Sequence, residues 1–331
     1  MDLTILKKIN IIFGFIILII LGISFVCNLI RKNKNENKKD IKKISENFFE
    51  KNYIFIWIIL FVVAVFTRFY HLSNLLNGLH VDEAGMGYDA YCIANFGVDR
   101  FLNKLPVYMI NFGGGQSALY TYVTAIWVKI FGLSTFSTRL AGTIFSLVGI
   151  VIASCLIKKC NGKKSALFYM LFMIICPWHI MQSRFGLDCN LLASMVIIDF
   201  YAIILSKKWY HYIITGVLFG VSLYTYALSY IIIPTVLFLT LIYMLYTKKI
   251  KFKNIIIMGI PIAILAVPLM LMLLVNNGYL EQINGFITIP KIYNYRAGEI
   301  GFANISENIK NLKSIFTNDE FIYNSIPQFG T

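Results

Sequence analysis

The chain has 331 residues, 58% of them hydrophobic and 14% charged, and a formal net charge of +14. Soluble domains are usually about 45–50% apolar and about 25% charged, so this composition excludes an ordinary water-soluble domain. The lysines fall in short segments between long apolar runs, which accounts for the positive charge without a nucleic-acid partner.

In chain order, residues 9–30 are the first predicted span. Lys7 and Lys8 precede it, but its apolar run exceeds that of a signal peptide and no small-residue cleavage site follows. The strongly basic segment 31–51 then lies in the cytoplasm. Residues 1–52 thus read as an extra amino-terminal helix with a basic linker. Residues 53–69 run outward and 70–116 form a long, mostly polar outer loop. Segment 117–131 is apolar, but a full crossing there would place every later basic loop outside, so it is expected to be a juxtamembrane or re-entrant helix. Spans follow at 136–157, 165–177, 190–206, 210–227, 230–246 and 254–275. Lys158, Lys159, Lys163 and Lys164, then Lys207 and Lys208, then Lys248, Lys249, Lys251 and Lys253 all become cytoplasmic. Residues 276–331 return to the outer side, with an amphipathic helix expected at 303–316. The expected fold is an all-α, polytopic transmembrane bundle over residues 53–275.

Two outer stretches carry the chemistry. In the first, Asp82 and Glu83 are adjacent, about ten residues beyond a span. One carboxylate there can take a proton from an acceptor hydroxyl while the other tunes it. Asp82 reads equally well as a helix cap for 84–96, where Tyr88, Tyr91 and Phe96 recur at helical spacing. In the second, residues 177–188, Arg184 suits a phosphate, and His179 and Asp188 add ionisable groups at membrane depth. Interfacial anchoring by Trp178 and snorkelling of Arg184 is the alternative. Arg139 opens a span and either meets a lipid phosphate or marks the span's end. Gly113, Gly114 and Gly115 either let backbone amides approach a phosphate or make a plain loop. The six cysteines show no metal-ligand spacing. Cys92 and Cys189 lie in outer segments where a disulfide could form.

These features resemble the GT-C glycosyltransferases, specifically the dolichyl-phosphate-mannose protein mannosyltransferase and aminoarabinose-transferase group. The resemblance rests on Asp82-Glu83, on the block from Leu119-Tyr120 to Phe131-Gly132 with Phe136 and Thr138-Arg139-Leu140, and on the 177–188 turn with Ser183-Arg184. It implies a sugar on a polyprenyl phosphate as donor, membrane lipids as surroundings, and a protein, lipid or glycan acceptor on the non-cytoplasmic face. In that pattern Asp82 is the base, Glu83 its supporting acid, Asp188 a second acidic site, and Arg184 and Arg139 phosphate contacts. Gly114 and Gln116 stand where relatives carry a basic residue, and His179 and Tyr88 complete the candidate set. The acidic pair could hold a divalent metal, although the resemblance does not require one. Relatives are longer, so residues 276–331 are expected to begin a further part.

Overall fold

A computed structural model describes residues 48–75 and 78–293. The expected helices at 9–30 and 303–316 lie outside the described residues. Helix α1 spans Tyr53–Phe69 and α2 spans Val81–Phe96. A hairpin of β1 (Tyr108–Asn111) and β2 (Gly114–Ser117) leads into α3 (Ala118–Phe131). Then come α4 (Thr135–Asn161), α5 (Lys163–Ile175), α6 (Pro177–Arg184) and α7 (Cys189–Leu205). Helices α8 (Trp209–Ser222), α9 (Ser229–Tyr246) and α10 (Phe252–Asn276) follow. A two-residue hairpin, β3 (Ile283–Asn284) with β4 (Thr288–Ile289), closes the described chain.

The result is a polytopic helical bundle. Among the described residues, α4, α9 and α10 are 27, 18 and 25 residues long and apolar enough to cross a membrane. Helices α5 and α6 are together long and apolar enough for a crossing but are bent by 66° at Cys176-Pro177, the form of a broken span or a re-entrant loop. Proline lacks the N–H that would continue the α5 ladder and pushes the preceding residue out of helical geometry, which places the break there. Helix α3 has 14 residues. At 1.5 Å per residue it is about 21 Å long, short of the roughly 30 Å hydrocarbon core. Large apolar side chains point outward from α1, α9 and α10, among them Phe55, Phe66, Phe238, Leu239, Ile264 and Met270. A lipid-facing surface needs this arrangement.

The helix starts are chemically marked. Ser134 caps α4, with Ser137 answering from the third position. His80 caps α2, accepting from the Asp82 N–H, while Glu83 closes the box on the His80 N–H. Asp82 therefore is not the cap; it stands in the first turn with its side chain free for other partners. The purely helical expectation also needs amending at the hairpins. Phe112 and Gly113 both have positive φ, 48° and 78°, which makes the tight two-residue turn that joins twisted strands. Gly115 leaves room for the Tyr108 ring, whose nearest atom would lie 2.2 Å from a Cβ there. The glycine run thus builds a turn and a strand.

Two apolar cores matter for function. A large one packs α7, α8, α9 and α10, with Ile203, Phe219, Ile233 and Met258 buried. A smaller one joins α2, α3, α4 and α7 through Met86, Tyr120, Ala141 and Leu191. The Lys158–Lys164, Lys207–Lys208 and Lys248–Lys253 clusters fall at helix ends remote in sequence from Asp82, Arg139 and Asp188. Each of α4, α7 and α9 runs from the site end of the bundle to a lysine end.

Helices α8 and α10 approach most closely at Gly216, where a Cβ would sit 2.3 Å from the Met258 carbonyl oxygen. Gly216→Ala should therefore lower stability by roughly 1–3 kcal/mol, the usual cost of overpacking. Gly259→Ala, with nothing within 4 Å of its Cβ, should be tolerated. Thermal unfolding of both purified variants in one detergent checks this, and equal melting would contradict the packing assignment.

Candidate active site

The site is assembled by a buried ion pair. Glu83 and Arg139 are both 0% exposed. Arg139 donates from Nε to Glu83 Oε1 at 3.0 Å and from an Nη to Oε2 at 3.2 Å. It also donates to the carbonyls of Leu72, Leu75 and Gly78. Glu83 further accepts from the His80 and Gly186 N–H groups. One carboxylate and one guanidinium thus tie Leu72, Leu75 and Gly78 to the start of α2, the start of α4 and the turn after α6. Neither has the freedom expected of a proton donor or of an open phosphate ligand.

The other candidate arginine is likewise turned inward. Arg184, 5% exposed, donates to the carbonyls of Thr67, Tyr70 and His71, the unsatisfied end of α1. Arg68, absent from the sequence-derived set, returns the favour: it donates to the Met173 carbonyl near the α5 break and meets His179 Nδ1 at 3.0 Å. Each guanidinium supplies donors to carbonyls that a helix end leaves unpaired. His179 is thereby engaged with Arg68. Of Arg68, Arg139 and Arg184, only Arg139 meets a carboxylate among the described residues. This end of the bundle therefore carries surplus buried positive charge.

Asp82 and Asp188 do come together. The Asp82 side chain is 43% exposed and accepts from Asn111 Nδ2 at 3.0 Å. Asp188, 7% exposed, caps α7 by accepting from the Cys189 N–H at 2.9 Å, and it accepts from the Ser117 N–H at 3.1 Å. Burial raises its carboxyl from an ordinary 3.8 to about 7; the two backbone donors oppose the rise and the nearby Asp82 charge adds to it. Tyr226, in the turn between α8 and α9, faces the same group: its hydroxyl is raised by burial first, then by Cys189, Asp188 and Asp82. Sequence reasoning did not single out Tyr226, Asn111 or the Ser117 amide.

The remaining candidates divide. Gln116 is buried and accepts from Asn111 Nδ2 at 3.0 Å, so it belongs to the Asp82 cluster. Gly114 is the first residue of β2, paired with Asn111 across the hairpin, not an open phosphate cradle. Tyr88 is half-exposed and stacked on Tyr91, on the outer surface of α2. Cys92 and Cys189 are both free thiols. Asp199 is fully buried in α7, outside this cluster. Among the described residues, no three His, Cys, Asp or Glu side chains converge to hold a metal ion.

A half-open carboxylate beside a buried one that accepts from two backbone amides lies at one end of a helical bundle with a GT-C-like fold. Residues 116–274 match the family model for dolichyl-phosphate-mannose-protein mannosyltransferase. The fold is similar to that of ArnT from Cupriavidus metallidurans in the apo state, at 17% identity and a TM-score of 0.50, covering 67% of this chain and 43% of that one. ArnT of the same organism bound to undecaprenyl phosphate matches at 15% identity and a TM-score of 0.50, over 67% of this chain and 42% of that one. The chain thus spans less than half the length of these structures. No curated protein matches it by sequence.

Two outcomes follow. Glu83→Gln leaves the Arg139 charge buried and uncompensated, so it should destabilise the fold by about 3–5 kcal/mol, read as a lowered melting temperature in detergent. Asp188 binds its proton more tightly when folded than when unfolded, so its contribution is complete below about pH 4 and is lost as pH rises through about 7. Unfolding measured from pH 4.5 to 8 should show that falling slope in the wild type and a flatter profile in Asp188→Asn.

Proposed function

We propose that the chain acts in transfer of a sugar from a polyprenyl-phosphate donor to an acceptor hydroxyl on the non-cytoplasmic face. The observation that carries this reading is the convergence of Asp82 and Asp188, distant in sequence, at the end of the bundle opposite the lysine clusters. Asp82 is the base: its open carboxylate takes the acceptor proton, the acceptor oxygen bonds to the anomeric carbon, and the bond from that carbon to the phosphate oxygen breaks. The polyprenyl phosphate leaves with the electron pair. Burial keeps about half of Asp188 neutral at pH 7, which lessens its repulsion of the Asp82 charge.

Glu83 and Arg139 act here as a frame, a revision of their expected roles as supporting acid and phosphate contact. The surplus positive charge of Arg68 and Arg184 supports an anionic donor by long-range attraction, since their donors are engaged with carbonyls. The family match supports a mannose-like sugar. A protein, lipid or glycan hydroxyl serves as acceptor.

In the full-length protein, Asp82→Asn should reduce transfer by roughly 100-fold or more, because an amide of the same size cannot take a proton. Folding should persist, since His80 and Glu83 make the α2 cap. Near-normal transfer by this variant would remove Asp82 as base. For sidedness, cysteines placed at Lys163 and Lys249 should resist an impermeant maleimide in intact cells while one at Glu281 reacts; outward labelling at 163 would overturn the orientation.

A further inference from the structure

We propose that Asp89, Arg100 and Asn111 form a relay that orients the Asp82 carboxylate, making Asn111 a positioning residue of the site. This rests on the reading of Asp82 as the base and adds how that base is held.

The relay starts from a buried acid. The Asp89 side chain is 2% exposed and is met by Arg100 three ways: backbone N–H to Oδ1 at 3.1 Å, Nε to Oδ1 at 3.0 Å and Nη2 to Oδ2 at 2.8 Å. The fork is thereby fixed, and its Nη2 also reaches Asn111 Oδ1 at 2.9 Å. A guanidinium only donates, so the Asn111 atom facing it must be the amide oxygen. The NH2 group is then forced to the opposite side. Its two hydrogens go to Asp82 Oδ1 and to Gln116 Oε1, each at 3.0 Å. The amide has no second orientation that keeps these bonds. Asp82 Oδ1 is held as an acceptor, and Oδ2, 3.5 Å from His80 Nδ1, is left as the oxygen available to a substrate proton.

Packing confirms the tight placement. Gly85 lies one helical turn from Asp89 in α2, and a Cβ there would sit 2.4 Å from Asn111 Oδ1 and 2.8 Å from Arg100 Nη2. Any side chain at 85 displaces the junction between Arg100 and Asn111. The short β1–β2 turn serves the same end by setting Asn111 beside Gln116.

The test needs no knowledge of the donor. The full chain is treated with a water-soluble carbodiimide and an amine, and labelling of Asp82 is followed by peptide mass spectrometry against exposed Glu281 as internal control. A donated hydrogen bond ties up the oxygen lone pair that attacks the reagent, so Asn111→Ala and Gly85→Ala should each raise the Asp82 rate several-fold relative to Glu281. Unchanged rates in both overturn the relay. If Asn111→Ala makes buried Cys92 reactive to maleimide, α2 has opened, and Gly85→Ala decides instead. With synthetic undecaprenyl-phosphate mannose and the full-length enzyme, Asn111→Ala should lower kcat roughly 10-fold with little change in KM, as expected of a misplaced group. It should add nothing to the loss from Asp82→Asn; a further multiplicative loss in that background overturns the relay. A wild-type rate for Asp82→Asn alone instead removes the base, and the labelling result then stands on its own.

Discussion

The Glu83–Arg139 pair is the constraint on which the site end of the molecule depends. Desolvating a carboxylate and a guanidinium costs several kcal/mol each, and their attraction repays this only when the remaining donors and acceptors are also satisfied. Here they are: three loop carbonyls take up the guanidinium, and two backbone N–H groups take up the carboxylate. Those backbone partners belong to two segments, the stretch before α2 and the turn after α6, and the pair itself adds the starts of α2 and α4. Satisfying the pair therefore ties α2 to α4 and sets the orientation of the first turn of α2. Asp82 stands beside Glu83 in that turn, so the frame and the open carboxylate are coupled through one peptide.

The same rule explains the other arginines. A bent helix pair and a helix ending near the membrane surface both leave carbonyls without partners where water is scarce. Arg184 covers the end of α1, and Arg68 covers the carbonyl before the α5 break. This reciprocal arrangement locks α1 against α6 while importing positive charge. In a soluble core such charge would be a liability. At the rim of a site proposed to take a phosphodiester, the same charge favours the ligand.

Much of the bundle was legible because span length and lysine placement are properties of runs, not of single contacts. The predicted edges at 136–157 and 254–275 fall within α4 and α10, and the parity argument kept 117–131 as a short helix, as α3 is. The meeting of Asp82 with Asp188 was also anticipated, since both were placed on one face. What sequence could not show was direction. Arg139 and Arg184 have the same chemistry whether they face a lumen or a carbonyl, and only the fold says which. Asn111 gave no signal because its role exists only once Arg100, eleven residues earlier, is pinned by Asp89. The glycine run was ambiguous for a related reason: a positive φ at Phe112 is not written in residue type.

The two acids divide their labour through environment alone. They have the same side chain, yet one is half in water and the other is enclosed. Enclosure favours the neutral form of Asp188, and the Ser117 and Cys189 amides only partly offset it. A neutral Asp188 removes most of the repulsion that a second anion would exert on Asp82, and it lets both acids share a small site. Above pH 7 that relief disappears: the second negative charge develops in a region of low polarisability, where Coulomb interactions are strong. The Ser117 and Cys189 amides then remain to stabilise that charge. In the proposed mechanism, the protonation of Asp188 sets the pH dependence of the site and Asp82 takes the proton.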